Sequence, residues 1–276
     1  SPGFDGVTAL MTIAGRAVLS EDETGVLIEV AAGEIWHDLV AWTVGQGLGG
    51  LENLAGIPGT AGAAPVQNVG AYGAELADSF ESLLAYDRVA GEMRRLTRPE
   101  MAFGYRDSLL KQQSGRFVVV SLRLRLSRPW QPNLRFAGLA ELAGSAGLTP
   151  LQVMNRVVGL RQSKLPDWRT HPNAGSFFKN PVVAEAEVAP ILAEFPAAPA
   201  FAQPGGLVKL SAGWLIEQSG LKGFTLGPVG ISARHALVVV NHGGGSADDI
   251  RALAAHVRAT VAARFGVTLH EEPVFL

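Results

Sequence analysis

Residues 56–73 read GIPGTAGAAPVQNVGAYG, and the interpretation of the whole chain starts from this stretch. Glycine and alanine at this density let a backbone approach a ligand closely and direct its amides at a phosphate or at the edge of a ring. The stretch lacks the Gly-Lys-Ser/Thr ending of a Walker loop, and it is not a GxGxxG dinucleotide loop that follows a strand. Its composition therefore indicates either a nucleotide or flavin site or a tight structural turn in which Gln67 and Asn68 are satisfied internally.

The composition restricts the class of protein. A chain of 276 residues with 47% hydrophobic and 17% charged residues is typical of a globular protein that is long enough for two domains. The absence of cysteine excludes disulfides, thiolate metal ligands and cysteine nucleophiles, and it suits a reducing cytoplasm. A net charge of −2 gives no general attraction to nucleic acid or to an anionic membrane. The apolar stretches are too short to cross a bilayer and no export leader is evident, so we expect a cytoplasmic protein.

Strand and helix patterns surround the glycine-rich stretch. Before it, residues 7–13 and 26–31 are predicted as strands, and a helix is predicted from Gly33 to the glycines at 47–50. After it, residues 116–126 form the clearest strand, with alternate apolar side chains on one face: Val118, Val120, Leu122, Leu124 and Leu126. The prolines at positions 129 and 132 interrupt the pattern and predict a domain boundary.

The remaining chain mixes helices and strands. One helix is predicted from Pro150 to residue 158, because proline is tolerated at the first position of a helix, and further elements are a helix at 212–218 and a strand at 236–241. The last helix is predicted from its cap Ser246, the acidic Asp248 and Asp249 in its first turn, and a stop at Gly266. A strand over residues 267–276 closes the chain. Since strands and helices do not alternate regularly as βαβ units, the pattern indicates an α+β fold.

Three further motifs carry side chains that suit chemistry. Arg106 follows an aromatic residue and precedes a strand, which is typical of a carboxylate clamp but equally of an arginine–aspartate surface pair. Ser176 lies between a glycine and two aromatic residues, which suits a proton donor to a carbon centre or a capped turn over an apolar patch. In the terminal strand, alternation places His270 and Glu272 on one face and Glu271 on the other, an arrangement that a solvated edge would also show. The six histidines lack the spacing of a metal site, so no metal is expected.

The set and order of these motifs resemble the UDP-N-acetylenolpyruvoylglucosamine reductases, in the longer subtype of the family. Each motif alone is ambiguous, but the combination is highly specific and runs through nearly the whole chain. It comprises residues 32–37, 50–54, 57–73, 104–108, 164–167, 175–181, 209–216 and 235–238.

The resemblance implies a fold and a division of the chain. Residues 1–128 would form an FAD-binding domain of the PCMH/vanillyl-alcohol-oxidase type, and residues 129–276 a mixed α/β substrate-binding region whose last strand, 267–276, packs back toward the active site. The family's Gly-Ser-Asn loop, which embraces the FAD pyrophosphate, is not found before Val7. We therefore expect the FAD-binding domain to be partial, with its first lobe missing, and FAD binding by these residues to be weak.

The resemblance also assigns roles to individual residues. Ser176 would be the proton donor, and Arg106 and Glu272 would stabilise the enol-like intermediate. The flavin of FAD would be held by Pro58, Gly59, Gly62, Ala64, Gln67, Asn68, Gly70, Ala71 and Tyr72. The UDP-sugar would be held by Tyr105, Lys164, Asn180 and His235. Phe136 and Phe201 stand where some relatives carry tyrosines, a departure that removes one hydroxyl contact each but not the reaction.

The implied reaction reduces UDP-N-acetylglucosamine enolpyruvate to UDP-N-acetylmuramate, a step in peptidoglycan precursor synthesis. NADPH reduces the flavin, and hydride then passes to the far carbon of the enolpyruvyl double bond. Arginine stabilises the negative charge that develops, and serine supplies the proton. The partner would be a small molecule, with no nucleic acid or membrane involved. The expected protein is a monomeric enzyme of the bacterial cytoplasm.

Two other functions are compatible with parts of the pattern. A flavin-dependent oxidase of the same FAD-binding architecture would react rapidly with oxygen once reduced, and it would often carry a covalent flavin link through histidine or cysteine. A flavin-free UDP-sugar-binding fragment would show no turnover. The visible spectrum of the purified protein separates the second of these from the flavoenzymes.

Overall fold

The structure, a computed structural model, describes residues 5–275. The chain forms two compact units. The first unit comprises Thr8–Arg161, and the second begins at Gln162 and includes residues 5–7. Each unit has its own hydrophobic core. The division lies later than the predicted boundary at residues 128–129, because the helix that follows this boundary contributes Val153, Val157 and Leu160 to the first core.

The first unit is built around an antiparallel sheet. Its elements are β1 (Arg16–Asp22), β2 (Gly25–Ala31), α1 (Trp36–Gly45), β3 (Gly70–Ala71), β4 (Ala74–Glu75), β5 (Phe80–Asp87), β6 (Glu92–Thr97), α2 (Arg98–Met101), α3 (Leu109–Gln112), β7 (Phe117–Ser127) and α4 (Pro150–Lys164), of which residues 162–164 belong to the second unit. The sheet has the strand order β1-β2-β7-β5-β6, and β3 and β4 form a separate small hairpin. The predicted strand at residues 26–31 and the helices beginning near Gly33 and at Pro150 are confirmed.

One face of this sheet is buried because apolar residues recur at every second position. In β2, Val26, Ile28 and Val30 are buried, whereas Leu27 and Glu29 lie half-buried on the opposite face. Helix α1 belongs to the same core through a set of buried side chains: Trp36, Leu39, Val40 and Val44.

Strand β7 is confirmed, but the prediction of its buried face is wrong at its amino end. Val118 is 39% exposed, whereas Val119 is only 8% exposed. Ala85 pairs with Val119 and Leu84 with Ser121, so Val120 is an extra residue that forms a β-bulge in β7. One inserted residue exchanges the two faces of a strand, and the alternation that holds for Leu122, Leu124 and Leu126 therefore fails before the bulge.

The second unit contains two smaller sheets. Its elements are β8 (Asn173–Ser176), β9 (Val182–Ala184), α5 (Glu185–Glu194), β10 (Ala200–Gln203), β11 (Leu207–Leu210), α6 (Ala212–Gln218), β12 (Thr225–Leu226), β13 (Val229–Ile231), β14 (Val238–Asn241) and α7 (Ala247–Phe265). The strand orders are β12-β13-β14-β8 and β10-β11-β9, with antiparallel pairing throughout. Helix α6 has the predicted bounds, and β14 is shorter than predicted by two residues.

Helix α7 follows its prediction at both ends. The Ser246 hydroxyl accepts from the N–H of Asp249, whose carboxylate in turn accepts from the N–H of Ser246, and this forms a capping box. Gly266 ends the helix with φ +67, a left-handed conformation that glycine adopts at low cost. The buried stripe consists of Leu253, Ala254, Val257 and Val261.

Two predicted strands are not formed. Residues 7–13 make no strand; Val7 and Leu10 are 93% and 82% exposed, and the exposed strand β1 that follows them is the edge strand instead. Residues 267–275 contain one isolated bridge, from Glu271 to Phe178, rather than a ladder. Within residues 5–275, no helix is both long and apolar enough to span a bilayer, and no cluster of three acidic or histidine side chains is arranged to hold a metal ion.

Candidate active site

The glycine-rich loop is held against the connection between β2 and α1. The N–H of Ala61 donates to the carbonyl of Glu34, and the N–H of Gly62 donates to the carbonyl of Ala32, both at 2.8 Å. A Cβ at Gly62 would lie 2.6 Å from the Cβ of Ala32, so this close approach requires glycine. The inner edge of the loop is therefore fixed by the core of the first unit.

The outer edge of the loop carries little side-chain bulk. Pro58, Gly59 and Ala63 are exposed. Gly59 has φ +111, and no atom lies within 4 Å of the place where its Cβ would be. A planar ring can approach such a backbone without displacing side chains, and the backbone amides can act as donors. The residues present therefore fit a flavin.

Arg106 lies at the tip of a two-residue turn in the first unit. The N–H of Gly104 donates to the carbonyl of Asp107 at 3.1 Å, and the reverse bond measures 3.2 Å. Arg106 has φ +54, a conformation that residues other than glycine seldom adopt. Its Nη2 donates to the carbonyl of Gly70 at 2.8 Å, and its guanidinium lies 5.3 Å from the ring centre of Tyr105. The predicted catalytic arginine is thus tied directly to the predicted flavin loop.

Gln67 and Asn68 are engaged within the protein. The Oε1 atom of Gln67 accepts from Nζ of Lys111 at 3.3 Å. Asn68 is only 1% exposed, and its side-chain nitrogen and oxygen are both hydrogen-bonded to other residues of the first unit. Any contact of Asn68 with a flavin would therefore use its backbone.

Arg161 on α4 is a charged residue of this region that the sequence analysis missed. Its Cδ and Nε lie 3.1 and 3.2 Å from the place where a Cβ of Gly56 would be, so it packs against the start of the loop. Burial lowers the pKa of Arg161, and its interaction with Tyr72 opposes that shift. Burial raises the pKa of Tyr72, against the effect of Arg161. This arrangement was not predictable from the sequence, because α4 meets the loop only through the tertiary fold.

Ser176 ends β8 and lies between two other segments of the second unit. It is opposite Val238 in the pairing of β8 with β14. Directly after it, the N–H of Phe177 donates to the carbonyl of Leu237 at 2.7 Å. The carbonyl of Phe177 accepts from the N–H of Glu272 at 2.8 Å. The structure thereby brings together the backbones that carry two predicted catalytic residues, Ser176 and Glu272.

Glu271 and Glu272 have different surroundings. The Oε1 atom of Glu271 accepts from Nη1 of Arg258 on α7 at 3.2 Å. Glu271 forms an isolated bridge with Phe178, and the N–H of Glu272 bonds to Phe177, but Glu272 itself lies in a bend. The opposition of the two carboxylates, which rests on strand alternation, stays a prediction.

Asn180 lies at the amino end of α6. Its Oδ1 accepts from the N–H of Ala212, the first residue of the helix, at 2.9 Å. Ser211 caps the same end by accepting from the N–H of Trp214 at 3.2 Å. The fold therefore fixes the side chain of Asn180 through a helix terminus.

His235 is held as a neutral imidazole. Its Nδ1 accepts from the N–H of Leu237 at 3.2 Å, which leaves the proton on Nε2. Burial lowers the pKa of His235, and the positive charges of Lys164 and Lys222 lower it further, against the opposing effect of Glu217. Lys164 is thus electrostatically coupled to His235. The family resemblance predicted the two residues only as separate substrate contacts.

The chain is similar to known proteins over almost its whole length. One family model, described as FAD binding domain, matches residues 3–97, and another, described as UDP-N-acetylenolpyruvoylglucosamine reductase, C-terminal domain, matches residues 167–276. The UDP-N-acetylenolpyruvoylglucosamine reductase of Azoarcus sp. (strain BH72) is 50% identical over 99% of this chain and 81% of its own length. The enzyme of the same name from Dechloromonas aromatica (strain RCB) is 46% identical over 99% of this chain and 83% of its own length.

A solved structure gives the same result. The crystal structure of UDP-N-acetylenolpyruvylglucosamine reductase from Thermus caldophilus superimposes with a TM-score of 0.61 at 28% sequence identity. The likeness covers 92% of this chain and 73% of that one.

Proposed function

The chain belongs to the UDP-N-acetylenolpyruvoylglucosamine reductase family, and from this premise we propose how its residues carry out the reaction. The protein catalyses the NADPH-dependent, FAD-mediated reduction of UDP-N-acetylglucosamine enolpyruvate to UDP-N-acetylmuramate in peptidoglycan precursor synthesis. The observation that carries this conclusion is the likeness to named reductases, at 46% and 50% identity, over 99% of the chain.

The glycine-rich loop is the proposed binding site for the flavin ring. When bound, FAD supplies the two-electron chemistry that links NADPH to the enolpyruvyl double bond. The contacts are assigned mainly to backbone groups of Pro58, Gly59, Gly62, Ala64, Gln67, Asn68, Gly70, Ala71 and Tyr72. The exposed outer edge of the loop, which is poor in side chains, supports this assignment.

Arg106 is the proposed electrostatic stabiliser. Its planar guanidinium can pair with the substrate carboxylate, where negative charge develops during reduction. Support comes from its restrained geometry, since the left-handed backbone at Arg106 and the bond to Gly70 fix the group in advance. A group that is already oriented requires little reorganisation at the moment of reaction.

Ser176 is the proposed proton donor, and Glu272 the carboxylate that assists at the same step. A hydroxyl is a weak acid, so Ser176 would deliver its proton only to a strongly basic carbon centre. The hydrogen bond between the N–H of Glu272 and the carbonyl of Phe177 supports the pairing of the two roles, because it fixes Glu272 beside the residue after Ser176.

Binding of the UDP-sugar is proposed for Tyr105, Lys164, Asn180 and His235. Lys164 is exposed and carries the positive charge that a diphosphate requires. His235 is neutral and keeps its Nε2 proton for an acceptor on the substrate.

The cellular setting is also proposed. A chain without cysteine suits the reducing bacterial cytoplasm, and a small-molecule substrate requires no second subunit. We expect a monomer, and sedimentation equilibrium of the flavin-loaded protein measures that directly.

The proposed function is tested by following flavin absorbance without oxygen. NADPH should bleach the protein loaded with FAD, and UDP-N-acetylglucosamine enolpyruvate should restore the colour while its mass rises by two hydrogens. UDP-N-acetylglucosamine, which lacks the enolpyruvyl group, is the control and should restore nothing. Recovery of the flavin absorbance with oxygen but not with the enolpyruvyl compound would indicate an oxidase. Failure of the protein to bind flavin would indicate a UDP-sugar-binding fragment.

A further inference from the structure

Asn68 connects two segments that the reaction uses. Its Nδ2 donates to Oε2 of Glu75 at 2.7 Å and to the carbonyl of Gly104 at 3.1 Å. Its Oδ1 accepts from the N–H of Ala77 at 2.9 Å. An amide offers two N–H donors and one carbonyl, so every polar group of this buried side chain has a partner.

Gly104 opens the turn that presents Arg106. Its carbonyl accepts the N–H of Asp107 as well as the amide of Asn68, so Asn68 bonds to the turn at its base. On the far side, Nζ of Lys111 donates to the carbonyl of Arg106 at 3.1 Å. The turn carrying Arg106 is therefore held at two points of its backbone.

Glu75 completes the arrangement through Gly70. In the β3–β4 hairpin, Glu75 pairs with Gly70, whose carbonyl accepts from the guanidinium of Arg106. A Cβ at Gly70 would lie 3.0 Å from Cγ of Glu75 and 3.1 Å from Nη1 of Arg106. The guanidinium of Arg106 bonds to this hairpin, and the base of its turn bonds to Asn68. The hydrogen bond between Asn68 and Glu75 connects the two contacts.

Asn68 also adopts an unusual backbone conformation. Its φ is +47, a value that asparagine tolerates better than most residues. Burial, a left-handed backbone and complete hydrogen bonding in one residue indicate a position that the surrounding structure fully determines.

We propose that Asn68, with Glu75, is a positioning residue that sets the guanidinium of Arg106 for the enolpyruvyl half of the reaction. This role rests on the proposed function of Arg106 and adds a residue that acts through it. The side chain of Asn68 then links the flavin loop to the turn of Arg106, and loss of its hydrogen bonds acts on that turn.

Asn68→Asp is the decisive substitution. It places a carboxylate against Glu75 and against the carbonyl of Gly104, and two carboxylates at such a distance share one proton. The other charges around the position are Asp78, whose Oδ2 accepts from the N–H of Glu75 at 2.9 Å, Asp107 in the turn, and the cations Arg106 and Lys111. Lowering the pH supplies the shared proton and should restore part of the geometry.

Stopped-flow measurement of the two half-reactions tests the proposal. In Asn68→Asp, oxidation of the reduced flavin by the enolpyruvyl substrate should slow on the order of tenfold to a hundredfold, since a small misplacement of a catalytic group has effects of that size. The rate should recover as pH falls, whereas reduction by NADPH and the Kd for FAD should change much less. Equal slowing of both half-reactions, weakened FAD binding with an unchanged second half-reaction, or wild-type behaviour would each overturn the proposal.

A second substitution tests whether the recovery of the rate at low pH comes from the shared proton. Asn68→Asp combined with Glu75→Gln leaves one carboxylate at the contact, so the recovery at low pH should disappear; its persistence would contradict the proposal. If Asn68→Asp does not fold, Asn68→Gly keeps the left-handed backbone accessible and removes the same hydrogen bonds, and it should slow the same half-reaction.

Asn241→Asp is the matched control in the second unit. The Nδ2 of Asn241 donates to the carbonyl of Gly245 at 2.8 Å, and the residue has no proposed part in the site. This variant should keep the wild-type ratio of the two half-reactions. Failure of the wild-type protein to reduce the enolpyruvyl substrate would refute the proposed function itself, whereas a normal wild type with an unaltered Asn68→Asp refutes only the positioning role.

Discussion

The backbone N–H of Glu272 donates to the carbonyl of Phe177 at 2.8 Å, so Glu272 lies beside the residue that follows Ser176. Its neighbour Glu271 forms an ion pair with Arg258 at 3.2 Å instead. The carboxylate of Glu271 is thus held by Arg258, whereas the backbone of Glu272 is held by the segment that follows Ser176.

Glu272→Gln should lower kcat by on the order of a hundredfold, because it removes a preorganised charge from the reacting centre. Glu271→Gln is the matched change and should leave kcat nearly unaltered, since a partly exposed ion pair contributes only about 0–1 kcal/mol to stability. Steady-state kinetics of both variants decide the assignment. A larger loss of kcat for Glu271→Gln, or an equal loss for both variants, would show that the assignment to Glu272 is wrong.

Gly70→Ala should slow the enolpyruvyl half-reaction. The new Cβ would lie 3.0 Å from Cγ of Glu75, 3.1 Å from the carbonyl oxygen of Ala74 and 3.1 Å from Nη1 of Arg106, and the two side chains yield more easily than the backbone carbonyl. Gly45→Ala at the end of α1 is the control, because no atom lies within 4 Å of its added Cβ. Kinetics that are equal in the two variants would show that the placement of Arg106 does not depend on Gly70.

Acid should destabilise the first unit through Asp87. Its carboxylate accepts from Arg116, at 3.0 Å to Nε, and from the N–H groups of Val89 and Ala90. These bonds, that of Arg116 foremost, hold the pKa of Asp87 well below its usual 3.8 despite the opposing effect of burial. Because the folded-state pKa is the lower one, the stabilisation is complete above the unfolded value and is lost as the pH falls below it.

Asp87→Asn should therefore be less stable than wild type at neutral pH and lose less stability on acidification from about pH 5 to about pH 2. Thermal melting across that range measures the difference. Asp248→Asn is the control, since Asp248 is exposed in the first turn of α7 and its ion pair with Arg251 is exposed as well. Parallel pH curves for wild type and Asp87→Asn would contradict the prediction.

His235 should titrate below its usual pKa of 6.5, because burial and the charges of Lys164 and Lys222 oppose protonation. The unfolded chain then binds a proton more readily than the folded one, so stability falls as pH drops below about 6.5 and until the folded pKa is passed. NMR titration of the imidazole checks the direction. His235→Gln should remove this part of the pH dependence, and a titration at or above 6.5 in the wild type would contradict the account.

Local signals predicted four of the helices, but they missed α5 (Glu185–Glu194) and the two short helices α2 and α3. Helix α6 has the predicted bounds, and α7 has the capping serine and the terminal glycine that define a helix from neighbouring residues alone. The strands depended on partners that local pattern does not specify. The apolar residues 7–13 form no ladder, whereas β1, which is exposed along its whole length, pairs with β2.

Residues 267–272 show why alternation alone is insufficient to predict a strand. Val267 and Leu269 are buried and Thr268 and His270 exposed, as a strand would require. The segment nevertheless makes only the one bridge to Phe178, so the burial pattern was predictable and the ladder was not.

The site residues were predictable as a set of motifs, but their contacts were not. Asn68 was expected to face the flavin, but its side chain donates hydrogen bonds to Glu75 and to the carbonyl of Gly104, which lies 36 positions away in the sequence. Arg161 lies far from the loop in sequence and meets Gly56 and Tyr72 only in the folded unit. Such long-range pairings follow from packing, which a single sequence does not display.

The central claim, that Ser176 donates the proton in the enolpyruvyl half-reaction, is tested most directly by stopped-flow kinetics of Ser176→Ala, with the exposed Ser145→Ala as control. Protonation belongs only to the second half-reaction, so reduction of the flavin by NADPH should proceed at the wild-type rate. Oxidation of the reduced flavin by the enolpyruvyl substrate should slow by roughly a hundredfold or more, since one positioned proton donor is lost. Equal slowing of both half-reactions, or an unaltered second one, would contradict the account.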